Sequence, residues 1–258
     1  MSDSTVQLDN PRLQTLLAYL GIASRRRSAE IIRSGNVAVN GQTILEPGFR
    51  VADPYSAAIT VGGRVYTLPA KGIATRTIML NKPVGLICSS DSRHGKTVFS
   101  CLRSIRERLV TVGRLDKDSG GLLLLSNNGE LVNRLTHPRY GHEKEYVVET
   151  RGVFKKSISR LLNSPMVIDN YEINPAIVEH IKRLPKDYSG EQRNLLRFIL
   201  NEGRNRQIRK MCNIAGLEVV NLTRIAVNGL RLPDDLLPGM WRDLTQEELK
   251  LLSEPLRR

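Results

Sequence analysis

Residues 113–125 constrain the fold of this chain more than any other segment. They read Gly113-Arg114-Leu115-Asp116-Lys117-Asp118-Ser119-Gly120-Gly121, followed by four consecutive leucines. The glycine pair indicates a tight turn, and a run of four leucines is accommodated only in a buried element. Asp116 is therefore predicted to lie on a loop held by a rigid scaffold, where catalytic groups are often found.

The overall charge predicts a polyanionic partner. Lys and Arg total 39 against 26 Asp and Glu, so the 258-residue chain carries a formal net charge of +13. Hydrophobic residues make up 40% of the chain, which is enough for an ordinary core. Charge alone does not separate RNA from DNA or from an anionic membrane, and a basic but otherwise ordinary soluble protein is the alternative.

Cysteine spacing and the N-terminus bear on cofactors and location. Cys88, Cys101 and Cys212 are widely spaced, so neither a zinc site nor a disulfide framework is expected. No apolar run approaches the ~20 residues of a membrane span. The first ten residues are polar and lack the features of a signal peptide, so they are interpreted as a disordered leader. These features predict a cytoplasmic protein with free thiols, without a metal and without a membrane partner.

Two domains are predicted, at 11–66 and 77–252, with a linker at 67–76. In the first, leucines at helical spacing follow Pro11, Ser24 caps a second helix over 25–33, and a hairpin is centred on Asn40-Gly41. In the second, strands are predicted at 78–80, 109–112, 122–125, 146–148, 195–200 and 219–222. Helices are predicted at 98–109, 154–162 and 208–215, and a last helix is capped by Thr245 and Glu248. This order predicts an α+β fold with a mixed or antiparallel sheet flanked by helices.

The N-terminal run Ser24 to Glu30 (SRRRSAE), followed by Gly35 to Gly41 (GNVAVNG), resembles the small RNA-binding domain named after protein four of the small ribosomal subunit. The resemblance implies that the second helix lays its basic face on RNA phosphates. Three arginines at a helix start oppose the helix dipole, which an anion at that position would explain. The predicted RNA contacts here are Arg25, Arg26, Arg27 and Arg33. A solvated arginine face is the alternative.

Four blocks of the C-terminal part resemble the RsuA-type family of ribosomal RNA pseudouridine synthases, and they occur in the order of that family. They are Met79 to Gly85 (MLNKPVG), Gly113 to Leu125, Glu143 to Val148 (EKEYVV) and Glu202 to Met211 (EGRNRQIRKM). Residues 142–146 and 241–245 are most similar to the RluF-type branch, which acts on large-subunit rRNA. A turn is predicted at Asn128-Gly129, where many relatives carry Asp before Gly. Residues 169–194 are interpreted as a family-specific excursion.

The resemblance implies that the protein converts a flipped-out uridine to pseudouridine, with Asp116 as the catalytic residue. The reaction breaks the nitrogen–ribose bond and forms a carbon–ribose bond, with no net oxidation or reduction and no external group transferred, so no cofactor is expected. Asp116 acts either as a nucleophile or as a base, and Arg209 is implied to pair with it. Tyr146 is implied to stack on the uracil, with Ile208 on its other side. Arg114 is predicted to replace the flipped base or to hold a phosphate, and Lys82 is predicted to face the site. The other predicted phosphate contacts are Lys144, Arg204, Arg206 and Lys210.

Each predicted role has a structural alternative. Asp116 can be an ordinary turn residue, Tyr146 and Ile208 can be core residues, and the cations can be solvated. Asp118 is interpreted as a solvated turn residue. A non-catalytic RNA-binding or ribosome-assembly protein on the same fold is a second function class, which retention of Asp116 disfavours. A DNA-binding regulator is a third, which the lack of a dimerisation segment disfavours. The predicted substrate is 23S rRNA, with 16S rRNA or tRNA as alternatives, and the predicted state is a monomer.

Overall fold

A computed structural model describes residues 5–254 of the chain. The chain divides into two compact units, one formed by residues 1–76 with 106–109 and the other by residues 77–105 with 110–258. Over residues 5–254, each helix is too short or too polar to cross a bilayer.

The N-terminal unit combines two short helices with small antiparallel sheets. In chain order its elements are β1 (Thr5–Val6), α1 (Leu13–Tyr19), α2 (Arg25–Arg33), β2 (Val37–Val39), β3 (Gln42–Thr43), β4 (Ile59–Val61), β5 (Arg64–Tyr66) and β6 (Ile73–Ala74). Four strands form a sheet in the order β3-β2-β4-β5, and β1 pairs with β6. The predicted helix pair and the hairpin between β2 and β3 are confirmed.

Helix α2 begins and ends where its local signals predict. The Ser24 hydroxyl accepts a hydrogen bond from the backbone N–H of Arg27 at 3.2 Å, which satisfies one free donor of the first turn. Ala29 and Ile32 are buried, whereas the three arginines at the helix start are exposed. The helix therefore packs one apolar face on the core and leaves its basic face in solvent.

The start of the chain is more ordered than predicted. Residues 1–4 lie outside the described range, but Val6 and Leu8 are buried in the N-terminal core. The backbone N–H of Leu8 donates to the Tyr55 hydroxyl at 2.7 Å. The interpretation of residues 5–10 as a disordered leader was wrong, because two apolar side chains in an otherwise polar segment complete the core. The predicted linker at 67–76 contains Leu68, which is buried in the same core, and β6.

The C-terminal unit is built on a nine-stranded sheet. In chain order its elements are β7 (Thr77–Lys82), β8 (Val110–Val112), β9 (Gly120–Ser126), α3 (Gly129–Thr136), β10 (Lys144–Arg151), α4 (Lys156–Leu162), β11 (Met166–Ile168), β12 (Tyr171–Ile173), β13 (Ile177–Leu184), β14 (Arg193–Leu200), α5 (Gln207–Ile214), β15 (Glu218–Val227), β16 (Leu230–Arg231), β17 (Trp241–Asp243) and α6 (Gln246–Ser253). Short 3-10 helices lie at Val98–Cys101 and Pro138–Tyr140.

The sheet is mixed, as predicted. Its strand order is β13-β14-β10-β15-β9-β7-β17, with β8 beside β9 and β16 beside β15. Strands β15 and β9 run parallel, and the other neighbours in this order run antiparallel. The leucine strand β9 lies inside the sheet and is buried along its whole length, which explains why both of its faces are apolar.

Two predictions around this sheet were wrong. The helix predicted over 98–109 is limited to the 3-10 turn Val98–Cys101, and residues 106–109 cluster with the N-terminal unit, so the apolar positions do not share one helix face. The Asn128-Gly129 pair begins a helix rather than a turn. The Asn128 side chain caps α3 by accepting from the backbone N–H groups of Glu130 and Leu131, both at 3.1 Å.

The segment after α4 forms a hairpin and an edge strand. Strands β11 and β12 pair through a tight turn in which Asp169 and Asn170 have φ values of 51° and 60°. Two positive φ values suit the type I′ turns of short hairpins. Strand β13 then adds to the edge of the main sheet beside β14. Residues 169–194 are therefore largely regular structure that continues the sheet.

Candidate active site

The loop from β8 to β9 carries Asp116. Its position is set by the close approach of β9 to β15. Gly121 has φ 98°, and a Cβ at this position would lie 2.2 Å from the carbonyl oxygen of Arg224. Only glycine allows the start of β9 to pair with β15 at this distance. The loop is thus held against the centre of the sheet.

A cleft lies beside this loop. Residues from the β8–β9 loop, from β10 and from the start of α5 form its walls. Those predicted from the sequence are Arg114, Asp116, Tyr146, Arg204, Arg206, Ile208 and Arg209. Leu200 and Leu222, which the sequence did not single out, complete the apolar part of the lining.

The cleft combines an apolar floor with a free carboxylate. Tyr146 and Ile208 are almost completely buried and line the floor. Asp116 is partly exposed at the wall. Within residues 5–254, the carboxylate of Asp116 has neither a hydrogen bond nor an ion pair, and only its carbonyl oxygen is used, by Ser119 N–H at 3.1 Å. An unpartnered carboxylate above an aromatic floor can act on a planar, uncharged ligand.

Arg209 contacts the loop, but through Asp118 rather than through the implied partner Asp116. Its Nη2 donates to the carbonyl oxygen of Asp118 at 2.8 Å, and its Nε lies 3.3 Å from an Asp118 carboxylate oxygen. The Nη1 atom of Arg206 lies 3.1 and 3.0 Å from the two Asp118 carboxylate oxygens. Asp118 is therefore more than a solvated turn residue, because it ties the loop to α5 while Asp116 stays unpaired.

Comparison with known proteins identifies the family. Residues 76–213, more than half of the chain, match the family model described as RNA pseudouridylate synthase, and residues 11–53 match the S4 domain. The chain belongs to the RNA pseudouridylate synthase family.

Similar proteins cover nearly the whole synthase. Ribosomal large subunit pseudouridine synthase B of Bacillus subtilis (strain 168) is 36% identical over 242 residues, which cover 93% of this chain and 95% of that protein. The Pseudomonas aeruginosa protein of the same name is 38% identical over 247 residues, or 94% of this chain and 62% of that protein. A crystal structure of a pseudouridylate synthase matches with a TM-score of 0.62 and 25% identity, covering 93% of this chain and 99% of that chain. The Bacillus subtilis and Pseudomonas aeruginosa proteins carry the name synthase B, and the similarity to the RluF-type branch stays a prediction.

Lys82 is buried and binds the backbone of the β8–β9 loop of the synthase. Its side chain is 1% exposed, and its ammonium group donates to the carbonyl oxygens of Ser119 at 2.7 Å and Pro83 at 3.1 Å. Burial lowers the pKa of this ammonium group, and the charges of Cys88, Asp118 and Asp116 oppose that shift. Lys82 therefore holds the loop backbone and does not face the cleft as predicted.

A second, larger cavity adjoins the cleft of the synthase. Its lining includes Arg114, His142, Lys144, Tyr146, Tyr171, Glu202, Arg204 and Arg224. Lys144 donates to the carbonyl oxygen of His142 at 2.8 Å. Burial, with a smaller contribution from the charge of Arg224, lowers the pKa of Lys144 to about 8. Lys144 thus lines the neighbouring cavity rather than the cleft beside Asp116.

Arg224 is a cavity residue that the sequence analysis missed. It is 4% exposed, and its Nε donates to the carbonyl oxygen of Leu122 at 2.8 Å. The strand predicted at 219–222 ended before this residue, so the alternation of Leu222, Arg224 and Ala226 along one face of β15 was not recognised.

The remaining predicted cations differ in their contacts. Lys210 lies 2.5 Å from an Asp169 carboxylate oxygen at the tip of the β11–β12 hairpin. The guanidinium of Arg204 covers the ring of Tyr171, with its carbon 3.0 Å from the ring centroid. In the N-terminal unit Arg27 pairs with Glu30 at 2.7 Å. Over residues 5–254, the exposed side chains of Arg25, Arg26 and Arg33 have no hydrogen-bond or ion-pair partner.

Among residues 5–254, no group of three or more His, Cys, Asp or Glu residues is arranged to hold a metal ion. The three cysteines are free, and burial raises the pKa of the Cys212 thiol to about 12. Cys212 is therefore an uncharged core residue of α5 at neutral pH.

Proposed function

We propose that this synthase isomerises a specific uridine in large-subunit ribosomal RNA, with Asp116 as the catalytic residue. One observation carries the proposal: the unpaired carboxylate of Asp116 borders a cleft with an aromatic and aliphatic floor. An aspartate with a purely structural role in the core or in a turn would not be expected to border such a cleft. The large-subunit target is proposed because two relatives are named as large-subunit synthases.

The proposed chemistry needs a carboxylate with free lone pairs near the reacting base. As a nucleophile, Asp116 would attack the ribose or the uracil ring, and as a base it would remove a proton. Both roles require at least one carboxylate oxygen with a lone pair that faces the ligand. The contact of Arg209 with Asp118 supports this, because it positions the loop without engaging Asp116.

The target base would enter the cleft after leaving the RNA stack. We propose that Tyr146 stacks on one face of the uracil and Ile208 packs on the other, since both are buried and line the cleft. Arg114 is exposed at the rim, where it would fill the space left by the flipped base or hold a phosphate.

RNA phosphates would contact both units of the chain. Arg25, Arg26, Arg27 and Arg33 would bind backbone phosphates through the basic face of α2, and Lys144, Arg204, Arg206 and Lys210 would do so near the cleft. We also propose an RNA-binding domain at 11–66, a linker at 67–76 and a catalytic domain at 77–252. The protein would act as a monomer in the cytoplasm.

The deciding experiment maps pseudouridine in the rRNA of a strain that lacks this gene. The strain is complemented with wild type, with Asp116→Asn or with Asp234→Asn, a matched change on an exposed loop. We expect one uridine of 23S rRNA to lose its modification and to regain it with wild type and with Asp234→Asn only. Full modification in the deletion strain, or rescue by Asp116→Asn, would contradict the proposal and favour a purely RNA-binding role.

A further inference from the structure

We propose that the cavity beside the cleft is a second nucleotide site, which holds a ribonucleotide adjacent to the target uridine. Its phosphate would lie against Lys144 and Arg224, and its base against Tyr171. This inference rests on the proposed function, because the same RNA strand must place its target uridine in the cleft.

The two cavities lie side by side and share several lining residues, an arrangement that suits two consecutive nucleotides. Arg114, Tyr146, Gly203 and Arg204 line both of them. Tyr146 therefore forms a shared wall, with the proposed uracil position on its cleft side. With the target base in the cleft, we place the neighbouring nucleotide of the same strand in the larger cavity, because the two cavities share these lining residues.

Sheet geometry places two cations together in this cavity. Lys144 and Tyr146 project from the same face of β10, because side chains alternate along a strand. Arg224 on β15 is the cross-strand partner of Tyr146, so its side chain also points to that face. The two cations therefore flank the shared tyrosine at the base of the cavity.

These cations have no carboxylate partner within residues 5–254. Their only hydrogen bonds there go to backbone carbonyl oxygens, from Lys144 to His142 and from Arg224 to Leu122, both at 2.8 Å. Two neighbouring buried cations without a counter-ion are costly, and a bound phosphate would remove that cost. Burial and then the charge of Arg224 lower the pKa of Lys144, and the charge of Glu202 opposes this shift without cancelling it.

The one acidic residue in the lining of this cavity is engaged elsewhere. Glu202 accepts hydrogen bonds from the Gln207 side chain at 2.8 Å and from the Asn174 backbone at 3.2 Å. Its second oxygen lies 3.7 Å from Nε of Arg204. These contacts hold Glu202 at the base of α5. Its charge acts on Lys144 from a distance, but among residues 5–254 it makes no hydrogen bond or ion pair with Lys144 or Arg224.

Tyr171 provides the surface for a base. It is 43% exposed on the β11–β12 hairpin, and the guanidinium carbon of Arg204 lies 3.0 Å from the centroid of its ring. Aromatic rings and guanidinium planes are the surfaces on which unpaired RNA bases stack. The contact between Lys210 and Asp169 fixes the hairpin against α5. The proposal therefore assigns a role to the hairpin, which the sequence analysis left without one.

The test measures binding of the full-length protein to unmodified 23S rRNA transcript over a series of salt concentrations. The slope of log K against log salt concentration is negative, and the loss of one phosphate contact makes it less steep by about 0.7 to 0.9. We expect this change for Lys144→Gln and for Arg224→Gln, and a slope close to wild type for Lys144→Arg. Tyr171→Ala should weaken binding roughly 10-fold at an unchanged slope, and Tyr171→Phe should bind like wild type.

Matched controls separate this site from general loss of charge or aromatic area. Arg160→Gln removes an exposed arginine from α4, and Tyr188→Ala removes a fully exposed tyrosine from the β13–β14 connection. Thermal unfolding shows which variants fold, and Tyr171→Ala is at an exposed position, so it tests the site even if Arg224→Gln does not fold. Wild-type affinity and slope in folded Lys144→Gln and Tyr171→Ala would overturn the second site.

Pseudouridine formation on the same transcript is measured in parallel. If wild type forms pseudouridine while the cavity variants keep wild-type affinity, slope and KM, the second site is wrong and the proposed function stands. If wild type forms none, the proposed function fails, and the second site fails with it. Higher KM at unchanged kcat in the cavity variants, together with the slope change, supports both.

Discussion

The two faces of the sheet around β10 use basic residues in opposite ways. On one face, Arg197 lies 2.7 Å from Glu145 and 3.1 Å from Glu179, and Arg193 pairs with Glu149. On the other face, Lys144 and Arg224 donate hydrogen bonds only to backbone carbonyl oxygens within residues 5–254. The first face neutralises its cations, and the second leaves them available.

The pKa values of the two faces differ in the same sense. Hydrogen bonding to Glu145 and Glu179 raises the pKa of Arg197, and the bond to Arg197 lowers the pKa of Glu145. Burial lowers the pKa of Lys144 instead. Paired charges support the folded state modestly, whereas an unpaired buried cation costs stability and suits a site that receives an anion. The position of the partners, rather than the total charge, thus distinguishes a structural face from a binding face.

The largest effect is expected for the unpaired carboxylate on the binding side. Asp116→Asn keeps the shape of the side chain but removes its charge and basicity. We expect kcat to fall about 10²–10⁴-fold with RNA affinity unchanged, as measured by single-turnover assays and by RNA binding. A loss of affinity equal to the loss of activity would assign Asp116 to binding rather than to chemistry.

A second effect concerns the pH dependence of stability. The Lys144 pKa falls from 10.5 in the unfolded chain to about 8, so the buried ammonium group destabilises the folded state below pH 8. This penalty disappears as pH rises from 8 to 10.5, because the unfolded state then binds more protons. Relative to Lys144→Met, wild type should gain up to about 3 kcal/mol across this range.

The measurement is urea unfolding of wild type and Lys144→Met at several pH values. The difference between the two proteins removes contributions from other groups that titrate in the same range. If this difference does not change with pH, Lys144 is as solvated as an ordinary surface lysine, and the contrast between the two faces is lost.

A smaller effect is expected on the paired face. Glu145→Ala removes the bonds to Arg197 and Arg231, which are both partly exposed. We expect the free energy of unfolding to fall by about 1–2 kcal/mol while KM for RNA stays at the wild-type value. Urea unfolding and steady-state kinetics measure the two quantities. An increase in KM would show that this face also takes part in RNA binding.

The smallest effect compares two neighbouring arginines of α2. Arg27 is paired with Glu30, whereas Arg26 is exposed without a partner in residues 5–254. Arg26→Ala should make the negative slope of log K against log salt concentration less steep by about 0.7 to 0.9, and Arg27→Ala should change it less. Equal slopes for the two variants would mean that pairing with Glu30 does not compete with RNA.

Elements with complete local signals were predicted well. Helix α2 has its cap at Ser24, and α6 has the capping box of Thr245 and Glu248, whose two reciprocal hydrogen bonds are both present. Helix α3 was missed because the Asn128-Gly129 pair suits both a turn and a helix cap. The helix predicted over 98–109 failed because periodic apolar residues do not specify which unit of the chain they pack against.

The sequence by itself determined that Asp116 lies on a tight loop before a buried strand, and that Tyr146 and Ile208 accompany it. Only the tertiary structure decided that Asp118, not Asp116, binds Arg209, and that Arg224 and Lys144 share a cavity with Tyr171. These contacts depend on the pairing of β9, β10 and β15, whose register joins residues 67 to 103 positions apart in the chain. Local propensity carries no information on such pairings, because backbone hydrogen bonds between distant strands form only when the whole sheet does.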